Sequence, residues 1–244
     1  MGVPMLGCNC SVCRSDDPRD KRLRASVWIQ TRGKHLIIDT GIDFRQQALR
    51  AGIPTVDAVL FTHHHVDHIF GLDEVRPFTL QQKKAVTIFC SHTTCGEVKR
   101  VYQYIFQQEK PESDIPQIIP VTFDDRPFRF ADISIQPIPV FHGKLPINGF
   151  RIGSFAYITD VSAIPEPSYS LLKGVDVLVL GALRHRPHPT HFTIDQAVEA
   201  ARRIGARQTF LTHMSHGVSH RELVQSLPST IAPAYDGLRI ETEP

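Results

Sequence analysis

Apolar residues in this 244-residue chain come in short runs of two different periods, and the runs alternate. Ala25-Ser26-Val27-Trp28-Ile29 alternates residue by residue, Arg32-Gly33-Lys34 offers a turn, and His35-Leu36-Ile37-Ile38-Asp39 returns. Arg24 to Thr40 is therefore predicted as a β-hairpin. Asp43 to Ala51 has helix composition and stops at Gly52. Val56 to Thr62 reads as a short buried strand, Asp67 to Arg76 as a helix ended by Pro77, Val86 to Cys90 as a strand and His92 to Gln108 as a helix. The second half repeats the alternation. Ile133 to Val140 is a strand leading into Phe141-His142, and Phe155 to Thr159 is another ending at Asp160. Val175 to Leu180 is an apolar run of parallel-sheet type, followed by a loop rich in His and Pro. Thr193 caps a helix to about Ile204, with Ile194, Ala197, Val198 and Ala201 on one face. Gln208 to Leu211 is a strand ending at Thr212-His213. Strands alternating with helices indicate a layered α/β protein, and with no repeat, low-complexity tract or long linker one domain over residues 1–244 is expected.

One regularity outweighs any single element. His63, His142, Asp160 and His213 each fall just beyond a predicted strand end. Strand ends on one edge of a sheet lie close in space, and that edge is where layered α/β proteins place their sites.

Composition sharpens this picture. A formal net charge of +2 argues against a protein that wraps nucleic acid. No stretch approaches the roughly 18 apolar residues of a membrane span, and no secretory signal is visible, so a cytoplasmic protein without a membrane partner is expected. Ten of the 13 histidines are clustered: His63, His64, His65 and His68; His185, His188 and His191; His213, His216 and His220. Five cysteines are an odd count for a disulfide framework, and Cys8, Cys10 and Cys13 crowd into one short segment, which favours metal over disulfide. Cys90 and Cys95 have no ligand-type company and read as ordinary thiols.

Thr62-His63-His64-His65-Val66-Asp67-His68 contains His-x-His-x-Asp-His directly after an apolar run. Neutral imidazoles and carboxylates suit Zn, Mn or Fe. The motif resembles the signature of the metallo-β-lactamase fold superfamily, and the likeness extends along most of the chain. The resemblance implies an αββα four-layer sandwich with a dinuclear centre. His142, Asp160 and His213 occupy, in order, the places of that family's later ligands. It further implies one metal held by His63, His65, His142 and Asp160, and another by Asp67, His68, Asp160 and His213, with Asp160 bridging; His64 is left out. Asp39, in Ile38-Asp39-Thr40-Gly41, matches a family Asp that supports the ligands from behind. Two ions about 3.5–4 Å apart bring water between them to hydroxide near neutral pH. Four positive charges against those of Asp67, Asp160 and hydroxide leave a positive site that favours an anionic ester. The cluster alone leaves β-lactam, thioester, lactone and phosphodiester hydrolysis open.

The cysteines narrow the choice. Gly2-Val3-Pro4 … Cys8-x-Cys10-x-x-Cys13 … Asp17-Pro18-Arg19 … Arg22-Leu23-Arg24 resembles the phosphodiesterase subgroup of that superfamily, related to the tRNase Z-like enzymes, that acts on phosphoribosyl 1,2-cyclic phosphate. The resemblance implies a structural Zn held by Cys8, Cys10, Cys13 and His216, three residues after His213. Thioesterase-type members lack these cysteines, and proteins of coenzyme PQQ synthesis share them but usually degrade the His-x-His-x-Asp-His motif. Members of the subgroup normally carry a short strand and a Gly-rich turn ahead of Gly2-Val3-Pro4; this chain begins inside that motif, which leaves two alternatives open, a missing first edge strand or a start placed too late.

The loop Arg184-His185-Arg186-Pro187-His188-Pro189-Thr190-His191 completes the reading. In the resembled phosphodiesterases a His just before the following helix assists the leaving group, and His191 is its positional match. Arg184 and Arg186 are candidates for a second phosphate, while His185 and His188 read as loop polar groups. The expected activity is hydrolysis of a small, cyclic phosphodiester, with Asp67 and His191 as the residues of catalysis. The cofactors expected are two divalent catalytic ions, Mn or Zn, and one structural Zn. Alternatives are a tRNA 3′-processing endoribonuclease, disfavoured by the charge and by the lack of a tRNA-gripping insertion, and a thioester or lactone hydrolase. A metal-binding scaffold would need an incomplete ligand set. Nucleic acid is not an expected partner, and a homodimer is the one assembly kept open.

Overall fold

In the computed structural model residues 2–107 and 114–242 are described. The chain forms two compact units, Arg24–Arg126 and a second made of Met1–Leu23 with Pro127–Pro244.

The unit Arg24–Arg126 is built on a five-stranded sheet, ordered β1 (Val27–Thr31), β2 (Lys34–Ile38), β3 (Ala58–Leu60), β4 (Val86–Ser91) and β5 (Ile118–Phe123). The predicted hairpin is present. Thr31 pairs with Lys34, and Arg32 and Gly33 both take positive φ (48° and 69°), the two-residue turn whose twist suits a hairpin. The remaining pairs are parallel. Helix Phe44–Ala51 turns Phe44 and Ala48 inward and ends at Gly52 in the left-handed conformation. Its core joins Ile37, Val59, Ile88 and Cys90 of the strands to Phe44, Ala48, Leu72 and Val98 of the helical layer.

Three expectations are corrected here. Residues 66–82 form Val66–Ile69, a 3-10 turn Leu72–Val75 and a helix Arg76–Gln82. Pro77 opens that last helix rather than closing one, because the first turn needs no N–H from it. The helix from His92 ends at Val101 and restarts over Gln103–Phe106; Gln108 lies outside the described residues. Strand β5 was not anticipated, since Pro120 interrupts its pattern, and an edge strand tolerates that.

The second unit carries a seven-stranded sheet in the order β12-β11-β10-β9-β8-β7-β6. Strands β6 (Phe128–Phe130), β7 (Ile133–His142), β8 (Leu145–Ile152) and β9 (Phe155–Ile158) form an antiparallel meander. Strands β10 (Val177–Gly181), β11 (Gln208–Thr212) and β12 (Ile231–Pro233) continue it in parallel. Strand β8 escapes sequence reading because it contains Pro146, Asn148 and Gly149. The glycine is required there: a Cβ would come within 2.6 Å of the Tyr157 carbonyl oxygen. Helix Ile194–Ile204 has the expected start, with Thr193 and Gln196 in a reciprocal capping box. Its face Ile194, Ala197, Ala201 packs with Ile158, Leu178, Leu180 and Leu211.

The N-terminal segment belongs to this second unit. Val3 and Arg22 form an antiparallel bridge. The Arg22 guanidinium, buried against Asp20 at 3.0 Å, also donates to the carbonyl oxygens of Ser215 and Val218 at 3.1 and 2.8 Å. These bonds flank His216 on both sides. Among the described residues no helix is long and apolar enough to cross a membrane.

Candidate metal centre

In the unit Arg24–Arg126 the predicted ligands surround Asp39. This residue follows β2 in the left-handed region (φ 62°), which turns the chain sharply at the strand end. Its carboxylate is fully buried and receives three donors: Thr62 N at 2.8 Å, the Thr62 hydroxyl at 2.7 Å and His68 Nδ1 at 2.8 Å. The single hydroxyl proton of Thr62 goes to Asp39, so the 3.0 Å contact between Thr62 Oγ1 and His63 Nδ1 has the ring as donor. Asp39 thus holds His68 directly, and His63 through Thr62, with the proton on Nδ1. Each Nε2 keeps the lone pair a metal requires. Burial pushes the Asp39 carboxyl up, against the pull of His68 and these hydrogen bonds.

The ligand atoms are correspondingly close. His63 Nε2 and His65 Nδ1 are 3.0 Å apart, near the roughly 3.3 Å edge of a tetrahedron with Zn–N bonds of about 2.0–2.1 Å. His68 Nε2 and Asp67 Oδ1 are 4.0 Å apart. His64 packs edge-on to His65, its ring centroid 5.7 Å away. The backbone is set by two glycines: a Cβ on Gly41 would reach 2.2 Å from the Asp67 carbonyl oxygen, and one on Gly71 the same distance from that of Gly41.

The second unit gathers the others. Asp160 and His213 follow strand ends in the same left-handed conformation, with φ of 51° and 59°. His213 Nε2 lies 3.2 Å from Asp160 Oδ1, which also accepts the Thr159 hydroxyl at 2.8 Å. His142 is the last residue of β7 rather than beyond it, and donates Nδ1–H to the Thr190 carbonyl oxygen at 2.7 Å. His142, Asp160 and His191 present ligand-type atoms within 4.8 Å of one another, so His191 sits among the proposed ligands of this unit. Its ring stacks on that of His213 at 5.2 Å. Burial, opposed by Asp160 and reinforced by His213, His142 and His188, pushes its pKa down to about 3. Arg184 closes its own loop, donating to the carbonyl oxygens of Arg186 and Pro187.

The three N-terminal cysteines and His216 are brought together. Cys8, Cys10, Cys13 and His216 each offer an atom within 4.8 Å of the rest. Cys8 Sγ and Cys10 Sγ lie 3.3 and 3.4 Å from His216 Nδ1. These separations suit one tetrahedral Zn, and three thiols with one imidazole are a Zn donor set. The backbone N–H of Cys13, then His216, lowers the Cys10 thiol to about 6, while burial raises that of Cys13. Cys90 and Cys95 are buried, and burial raises the Cys90 thiol beyond reactivity. Sequence reading missed Thr62 and Thr190. Thr62 stands directly before His63, but nothing in the chain signals that Thr190 would meet His142.

A model of the beta-lactamase superfamily domain matches residues 34–214. An octanoyltransferase of Porphyromonas gingivalis is 40% identical over 241 residues, 97% of this chain but 48% of the relative, so the chain spans about half that protein's length. Coenzyme PQQ synthesis protein B of Methylorubrum populi is 36% identical over 208 residues, 73% of this chain and 68% of the relative. A crystal structure described as a new diphosphatase from the PhnP family is 43% identical, with a TM-score of 0.93 over 100% of this chain and 94% of that one.

Proposed function

Since the chain belongs to the beta-lactamase superfamily, a fold of metal-dependent hydrolases, we propose that it is a metal-dependent phosphodiesterase acting on a small anionic ester. The supporting observation is the locking of imidazoles by Asp39, Thr62 and Thr190, which prepares His63, His68 and His142 as neutral metal ligands. Our reading keeps the ligand assignment given by the resemblance: His63, His65, His142 and Asp160 for one ion, Asp67, His68, Asp160 and His213 for the other. Cys8, Cys10, Cys13 and His216 take a structural Zn. Divalent ions of this kind, Mn or Zn, supply Lewis acidity and bring water to a nucleophile near neutral pH.

The residues of the chain do the rest. Thr159 orients the Asp160 carboxylate, and Asp39 orients His63 and His68. His191 faces the leaving oxygen and hands it a proton. Burial and the neighbouring imidazoles disfavour charge on its ring while Asp160, 3.9 Å away, favours it, and an anionic substrate would add to the pull of Asp160. The substrate is a small cyclic phosphodiester such as phosphoribosyl 1,2-cyclic phosphate. A second reading, a diphosphate diester, is favoured by the 43% identity to the diphosphatase. The chain is read as cytoplasmic, with no nucleic-acid or membrane partner.

A substrate panel on protein loaded with Mn or Zn tests this. Bis-(p-nitrophenyl) phosphate and a 2′,3′-cyclic nucleotide are turned over, while a thioester and a precursor tRNA are not. Cleavage of the tRNA or the thioester alone overturns the reading.

A further inference from the structure

The loop 182–193, between β10 and the helix Ile194–Ile204, is pinned at its base and stiffened within. Leu183 N donates to the Phe192 carbonyl oxygen, Phe192 N to that of Val161 and Ile194 N to that of Arg184. Thr190 is its centre. The Thr190 carbonyl takes the His142 proton, and its N–H reaches His188 Nδ1 at 3.3 Å, with the Thr190 hydroxyl 3.2 Å from the same nitrogen. Gly143 makes room for this, since a Cβ there would come 2.8 Å from Thr190 Cγ2. One residue, Thr190, therefore ties His188 to a proposed metal ligand.

An N–H can only donate, so His188 Nδ1 is the acceptor and the ring proton resides on Nε2, on the side away from Thr190. Among the described residues none accepts that Nε2–H. The ring is partly exposed and lies 4.9 Å, centroid to centroid, from that of His191. Residues 182–193 include Arg184 and Arg186 and no carboxylate. A fixed donor in a positive, acid-free loop next to His191 calls for an anion one group away from the reacting phosphoryl.

We infer that His188 is a specificity-determining residue whose Nε2–H hydrogen-bonds a second phosphoryl group of the substrate. The inference rests on the phosphodiesterase reading. The second phosphoryl can be joined through an anhydride, as in a diphosphate diester, or stand elsewhere on the molecule, as the 5-phosphate of a ribose cyclic phosphate does.

The test uses metal-loaded protein and two variants whose metal content and melting are checked: His188→Phe, which keeps a ring against His191, and His188→Gln, which restores a side-chain N–H. Inorganic diphosphate and inorganic phosphate are the binding probes. In His188→Phe the affinity for diphosphate falls about tenfold more than that for phosphate, the worth of one charge-assisted hydrogen bond, and His188→Gln recovers part of it. Equal weakening of both probes, or of neither, overturns the assignment. In turnover, the ratio of kcat/KM on a doubly phosphorylated substrate to that on bis-(p-nitrophenyl) phosphate falls likewise. A dinucleoside diphosphate and phosphoribosyl 1,2-cyclic phosphate separate the two sources. If the wild-type protein hydrolyses none of these esters, the phosphodiesterase reading falls, while the two binding probes still decide the role of His188.

Discussion

Asp39 does at the scale of one side chain what the whole histidine cluster depends on. Its carboxylate accepts from His68, from the Thr62 hydroxyl and from Thr62 N. Asp39→Asn replaces one acceptor oxygen by a donor, so His68 or Thr62 loses its partner and the ring proton is free to move to Nε2. Metal affinity should fall by about 10–100-fold, as for other groups that support ligands, with the fold retained; titration with Zn or Mn measures it. Unchanged affinity would show that Asp39 is structural only. His191 is tested by leaving groups. His191→Ala should slow an alkyl or cyclic ribose phosphate by about 10²–10⁴, the usual worth of general acid catalysis. A p-nitrophenyl ester, whose leaving group needs little protonation, should lose much less. Equal loss on both would mean that the ring stabilises phosphoryl charge instead.

At the scale of elements, the N-terminal segment and the turn 213–220 are joined by metal-type ligands and by Arg22, which grips the carbonyls on either side of His216. Cys10→Ser should remove one Zn equivalent and lower the melting temperature, because binding of the proposed structural Zn would be linked to folding. Elemental analysis that finds the Zn count unchanged would rule out the four-ligand site. The short helix Val66–Ile69 depends on a glycine in another element. Gly41→Ala drives a methyl into the Asp67 carbonyl, so the helix bearing Asp67 and His68 must shift. The cost should be about 1–3 kcal/mol in urea unfolding, the range for overpacking. Gly96→Ala is the contrast. It sits inside His92–Val101 with nothing within 4 Å of a new Cβ, and should stabilise by about 0.5–1 kcal/mol through helix propensity.

For the molecule as a whole, acid should be destabilising in part through His220. Burial, then Arg19, holds its native pKa below the ordinary 6.5. The unfolded chain therefore takes up the proton first, and stability falls as pH drops below about 6.5. His220→Gln should narrow its stability gap to the wild type between pH 7.5 and 5.5, read from urea midpoints; a constant gap would exclude this histidine. The strand–helix alternation, the Thr193 cap and the Gly52 stop were legible in the sequence, because each follows from local spacing and the chemistry of neighbouring residues. Strands β5, β6, β8 and β12 were not, being short or interrupted by Pro and Gly and held by partners elsewhere. Only the tertiary structure decided which imidazole nitrogen carries the proton, how deeply His191 is buried and that Thr190 joins His142 to His188. Spacing along a chain reports periodicity, whereas a tautomer or a desolvated ring depends on atoms brought from tens of residues away.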